Sequence, residues 1–262
     1  RTFAPPAAFT AQANADASVY ATADADPIAF WERAAERLDW TEPWHTAHTW
    51  SPPVEGPDGL SVPAATWFAG GTLNVAANCV DRHVDAGRGE KVALYFEGEP
   101  GDRERVTYAD LQRRVAQAAH GLTELGIGPG DRVVIYLPVL IETVVITLAC
   151  ARIGAVHSLV FGGFAAEAVR FRLEDTGAKL LVTTDGQNRR GTQFEVKSAA
   201  DVAAADLPNL EHVLVVRRTG QDVPWTTGRD VWWHDVIDTQ PDVHEPQAFD
   251  SEHPLFIIYT SG

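Results

Sequence analysis

From residue 91 onward, short apolar runs alternate with apolar stripes of helical spacing. KVALYFEG (91–98) and RVTY (105–108) read as strands. Thr107 then caps a helix, with Asp110 three residues on to complete a capping box. Leu111, Val115, Ala118, Leu122 and Leu125 line one face of that helix, and Gly126 ends it. VVIYLP (133–138) is apolar without alternation, as in a strand covered on both faces. The helix LIETVVITLACARIG follows, closed by Gly154. Next come the strand AVHSLVF (155–161), the helix AAEAVRFRLEDTG, the strand KLLVTT (179–184) and the helix KSAADVAAAD. HVLVVRR (212–218) is a strand, RDVWWHDVID a short helix and LFIIYT (255–260) a last strand.

Strands alternating with helices imply parallel pairing through right-handed crossovers. The expected fold class is α/β: a doubly wound, mostly parallel sheet flanked by helices. Ligands of such sheets bind beyond the carboxyl ends of the strands. Upstream of residue 91 the pattern is weaker. Residues 1–25 read as a flexible Ala-rich tail and 26–88 as a helical and irregular extension. Residues 89–262 read as the α/β subdomain, incomplete at its end. Within the extension, Asp26 and Pro27 start a helix with Ile28, Trp31, Ala35 and Leu38 on one face. Residues 41–71 are rich in Pro, Gly and Trp and read as irregular. TLNVAANCVDRHVDAG reads as a second helix stopped by Gly87.

Composition narrows the class. The 262 residues are 45% hydrophobic and 22% charged, as in globular chains, with a net charge of −15. So acidic a balance argues against nucleic-acid and anionic-membrane partners, but not against a phosphate held by a local cluster of donors. No apolar run reaches ~18 residues, so no membrane span is expected. The amino-terminal stretch lacks the pattern of a secretory signal. Cys79 and Cys150 both lie in apolar helical patterns and read as buried thiols of a reducing, cytoplasmic compartment.

Three post-strand segments could carry chemistry. Thr260-Ser261-Gly262 gives a hydroxyl- and Gly-rich turn of the kind that cradles phosphate, and equally of the kind that ends many strands. Arg189, Arg190, Gly191 and Thr192 combine forked donors with an accessible backbone; they suit a phosphate or a solvated loop. Gly162-Gly163 permits close approach of a ligand or makes a plain strand-to-helix turn. His45 and His48 have HxxH spacing without a third ligand, so no metal site is expected. His157 reads as a hydrogen-bonded core histidine. No GxSxG elbow is present.

These segments occur in a recognisable order. FWERAAERLDW, LGIGPGDRVVIYLP, LACARIGAVHSLVFGGFAAEAV, GRDVWWHDVI and PLFIIYTSG resemble the AMP-forming acetyl-CoA synthetases of the adenylate-forming acyl-CoA ligase superfamily. TLNVAANCVDRHV matches as well, with Ala69-Gly70-Gly71 in place of the usual acidic residue and Gly. The resemblance implies the first subdomain of the large domain. It implies acetate, ATP and CoA as substrates, with Mg2+ held by residues beyond this chain. It also implies an amino-terminal piece, inactive alone, with no catalytic residue of its own: YTSG would open the phosphate loop YTSGSTGKPKG. Thr260, Ser261 and Gly262 would then begin the ATP phosphate loop, and Arg189 to Thr192 would contact the nucleotide phosphate of CoA. Gly162 and Gly163 would lie near the pantetheine path. Arg190 stands where the family usually has a small residue, and Thr192 where it has a second basic one. Propionyl and other short-chain acyl-CoA synthetases, or a non-catalytic CoA-binding module, are the alternatives.

Overall fold

The chain divides into two compact units, Arg1–Gly71 and Thr72–Gly262. The structure, a computed structural model, describes residues 3–56, 59 and 61–260.

The first unit holds helices α1 (Ala7–Thr10), α2 (Ser18–Ala25) and α3 (Pro27–Ala35), then strands β1 (Thr46–Glu55) and β2 (Ser61–Ala69). The Ala-rich stretch read as a flexible tail thus holds α1 and α2, neither of which buries a residue. Asp26 caps α3 by accepting the Ala29 N–H at 2.9 Å. Ala35 is buried, but Trp31 is exposed, and so is Leu38, because α3 ends before it. Residues 41–71 are not irregular throughout: β1 and β2 form an antiparallel hairpin. Its register shifts between Ser51 and Val54, where Pro52 and Pro53 cannot donate to the ladder. Most of its residues are exposed, so no apolar alternation marked it.

The second unit begins with β3 (Thr72–Leu73) and two π-helical turns, Ala77–Asp81 and Val84–Arg88. Then come β4 (Val92–Glu97), β5 (Arg103–Thr107), α4 (Tyr108–Glu124), β6 (Arg132–Leu137), α5 (Ile141–Ile153), β7 (Val156–Phe161), α6 (Ala166–Thr176) and β8 (Leu180–Thr184). They are followed by β9 (Gly186–Arg189), β10 (Thr192–Glu195), α7 (Lys197–Ala204), β11 (His212–Val216), β12 (Asp230–Trp232), α8 (Trp233–Val236), β13 (Phe249–Asp250) and β14 (Phe256–Ile257). Residues 72–88, grouped with the extension on sequence grounds, lie in this unit, where Asn74 Nδ2 donates to Arg152 O at 2.9 Å.

Six strands form one parallel sheet in the order β12-β11-β8-β6-β7-β14. Successive residues of β6 face opposite sides. Val133, Ile135 and Leu137 pack with α4 and α5, while Val134 and Tyr136 pack with α6 and α7. Every residue of the predicted α4 stripe is buried. Elsewhere in this unit the structure departs from the sequence expectation in detail. The segment 229–238 is half strand, because β12 pairs with β11 before the helix starts. Only Phe256–Ile257 of the last apolar run pairs with β7. Cys79 is exposed rather than buried: Ala76 and Val80 take the inward positions, and the π-helical winding turns Cys79 outward.

Beyond β6 the chain turns toward β7; beyond β8 it turns the other way, toward β11. The carboxyl ends of β6 and β8 therefore flank a topological switch point, where open α/β sheets hold ligands.

Candidate functional site at the carboxyl edge of the sheet

Gly162 and Gly163 follow β7 and fold back over the end of β6. The Gly162 N–H donates to Leu137 O at 3.0 Å. A Cβ on Gly162 would stand 2.8 Å from Pro138 N and 3.0 Å from its Cα, so only glycine fits against that backbone. Gly163 has φ +102°, and a Cβ there would stand 3.0 Å from Arg189 Nη1. The buried Tyr136 fixes the far side of the turn by donating to Phe164 O at 2.8 Å, and burial raises its phenol pKa. The glycine turn and Arg189, 26 residues apart in sequence, are thus brought together.

Residues 185–194 are a hairpin rather than a loop. β9 and β10 pair antiparallel, with Arg189 opposite Thr192. The two residues between them, Arg190 (φ 54°) and Gly191 (φ 74°), are both left-handed, as a two-residue hairpin turn demands. Gly191 adopts this freely; Arg190 does so against its steric preference. The Thr192 hydroxyl donates to Arg189 O at 3.1 Å and closes the turn. Arg189 and Arg190 are exposed at the hairpin tip.

Asp185 anchors the hairpin at its root. Its fully buried carboxylate accepts N–H groups from Gly186, Arg218 and Gly220, each at 2.7 Å, and from Thr219 at 3.0 and 3.2 Å. This ties the end of β8 to the loop after β11. A side chain on Gly186 would strike Gln221, Thr219 Oγ1 and Phe194 O, which fixes glycine there. The β4–β5 turn completes the surroundings: Asp102 pairs with Arg218 at 2.7 Å, and Glu99 Oε1 accepts the Gly191 N–H at 2.7 Å.

Thr260 is exposed and lines a separate cavity of about 350 Å³ with His157, Phe161, Phe164, Arg172 and Tyr259. Phe161 and Phe164 flank the glycine pair, so this cavity adjoins the turn. The Tyr259 hydroxyl donates to Asp175 Oδ2 at 2.6 Å, and its ring lies under Arg172 at 4.7 Å. Burial, then the Asp175 carboxylate, push the Tyr259 phenol up to about 12. Ser261 and Gly262 lie outside the described residues.

His157 is not the hydrogen-bonded core residue expected. Its Nδ1 has no partner among the described residues, it packs on Phe256, and burial lowers its pKa. His48 packs on Trp67, and the His45 ring nitrogen meets Thr46. Among the described residues no cluster of three or more His, Cys, Asp or Glu could hold a metal, and no helix is long and apolar enough to cross a membrane. The sequence reading passed over Asp185 as a site residue and over Glu99. The signal for Asp185 was its place directly after a buried strand; nothing in the local sequence marked Glu99.

A parallel α/β sheet carries a glycine turn and an arginine hairpin close together at its carboxyl edge, where sheets of this class hold their ligands. Comparison makes the assignment narrower. The chain belongs to the AMP-binding enzyme family, which it matches over residues 80–262. Residues 17–79 match the acetyl-coenzyme A synthetase N-terminus. It is 55% identical to an acetyl-coenzyme A synthetase of Streptomyces avermitilis, over 100% of this chain and 39% of that protein. It is 53% identical to one of Mycobacterium bovis, over 99% of this chain and 39% of that protein. Among solved structures, acetoacetyl-CoA synthetase from Streptomyces lividans superposes with a TM-score of 0.82 at 26% identity, over 97% of this chain and 37% of that one. The chain thus spans about two fifths of the length of these relatives.

Proposed function

We propose that the chain serves an AMP-forming acetate–CoA ligase, which activates acetate with ATP and passes the acetyl group to CoA. Identity of 55% along the whole chain to a protein named acetyl-coenzyme A synthetase supports the reading. In this reading Arg189, with Arg190 and the Gly191 backbone, receives the nucleotide phosphate of CoA. The observation that carries it is the approach of Arg189 to Gly163: the exposed guanidinium reaches the glycine turn, its Nη1 3.0 Å from where a Cβ on Gly163 would stand. Gly162 and Gly163 keep the turn clear of side chains, so that the pantetheine arm can pass. Arg190 takes the second cationic contact in place of Thr192. Thr260, with Ser261 and Gly262, begins the loop that holds the ATP phosphates. Magnesium accompanies ATP in the reaction, and no residue of this chain is assigned to it. The two free thiols fit a cytoplasmic setting.

The reaction has two halves, and they separate the roles. Arg189→Ala in the full-length protein raises the KM for CoA about 10- to 100-fold, as expected for loss of a charge-assisted contact. Acetate-dependent ATP–pyrophosphate exchange, which does not need CoA, stays near its original rate. An equal fall in exchange and in CoA use would place Arg189 elsewhere.

A further inference from the structure

The contact between Glu99 and Gly191 meets no structural need that other contacts leave open. The β4–β5 turn is closed by the Gly98 N–H to Asp102 O at 2.8 Å and the Gly101 N–H to Gly98 O at 2.9 Å. It is pinned by Asp102, which accepts two bonds from Arg218 at 2.7 and 3.0 Å. A side chain on Gly98 would strike both Asp102 and Arg218, so the turn is already packed tight. The hairpin, for its part, has its own ladder and the Asp185 anchor. Glu99 nevertheless extends a carboxylate to the one turn amide that lies between the two arginines and Thr192, in an exposed contact 92 residues apart in sequence. A carboxylate oxygen on a backbone N–H makes the same charge-assisted bond as a phosphate oxygen on that donor. The space over Gly191 is open: a Cβ there would meet nothing within 4 Å.

We propose that Glu99 is an internal competitor for the ligand phosphate at the Arg189–Thr192 hairpin, and so sets the affinity for CoA. This rests on the reading of that hairpin as the CoA phosphate contact. The carboxylate holds the Gly191 amide while the site is free. It yields the amide when a dianionic phosphate, drawn by Arg189 and Arg190, arrives. Its negative charge also weakens the field of the two arginines until then.

The test titrates the full-length protein with CoA and with dephospho-CoA, which lacks the ribose phosphate, at low ionic strength. Glu99→Ala tightens CoA binding about three- to tenfold, Glu99→Gln tightens it less, and dephospho-CoA binding is unchanged. Unchanged or weaker CoA binding in Glu99→Ala, while Arg189→Ala still weakens it, overturns the competitor role and leaves the hairpin reading standing. If Arg189→Ala binds CoA as tightly as the unsubstituted protein, the hairpin reading falls and the competitor role with it.

Discussion

Gly162 and Asp185 act on the same sheet edge by opposite means, one by lacking a side chain and one by burying a charged one. Gly162→Ala would press a methyl group into the Pro138 backbone, which cannot move aside as a flexible side chain would. We expect a loss of about 1–3 kcal/mol, read as a lower denaturation midpoint in urea, together with a raised KM for CoA. A wild-type midpoint would show that the turn relaxes without strain. The glycine pair was visible in the sequence, because two glycines after a buried strand demand a reason. What they make room for was not, since Pro138 and Arg189 reach them only through the fold. Asp185 was legible only as a place to look. Its partners at Arg218, Thr219 and Gly220 lie 33 to 35 residues on, and a sheet has to form before they meet.

Among the elements, α4 was read most completely. Its capping box forms as expected: the Thr107 hydroxyl accepts the Asp110 N–H at 3.1 Å, and the Asp110 carboxylate returns to the Thr107 N–H. Thr107→Ala removes that acceptor and is expected to cost about 1 kcal/mol, seen in thermal or urea denaturation of the full-length protein. An unchanged midpoint would mean that burial of the Leu111–Leu122 face holds the first turn without the cap. The elements that escaped were those whose local signal was faint or conflicting. An Arg-Gly turn is a poor hairpin signature beside Asn-Gly, so β9 and β10 read as a loop. Pro52 and Pro53 hid β1. The π-helical winding at Ala77–Asp81 shifted a helical phase that the sequence reading took as regular.

Over the second unit as a whole, an acidic chain has placed its few cations where carboxylates need them. Arg152, 2% exposed, donates to both oxygens of Asp81 at 2.8 and 3.0 Å and also to His244 O. Burial pushes the Asp81 pKa up, but the Arg152 guanidinium and the Gln112 amide outweigh it, and the net shift is downward. Asp230 follows the same logic: burial opposes ionisation, and Arg229 and Lys197 more than restore it. Both carboxyls therefore have folded pKa values below their unfolded ones. The stability they lend is present above the unfolded carboxylate range, near pH 4, and is lost as pH falls through the folded values. The urea midpoint should accordingly drop steeply below about pH 4. In Asp230→Asn that drop should be shallower, on a protein already weakened at neutral pH because the buried Lys197 keeps only Asp201 of its two anions. An equally steep drop in the variant would assign the acid sensitivity to other groups.

The strand order has a consequence for how the chain comes together during synthesis. β6 emerges first and stands at the centre. β7 joins one side of it, β8 the other, β11 then adds beside β8, β12 beside β11, and β14 beside β7. Each new strand thus meets an edge that already exists, and none has to be threaded between two partners that have already paired. Non-local parallel pairing is slow because loops must close before contacts reward them. Here the nascent sheet can grow outward from its middle in the order in which its strands leave the ribosome, without undoing anything it has built.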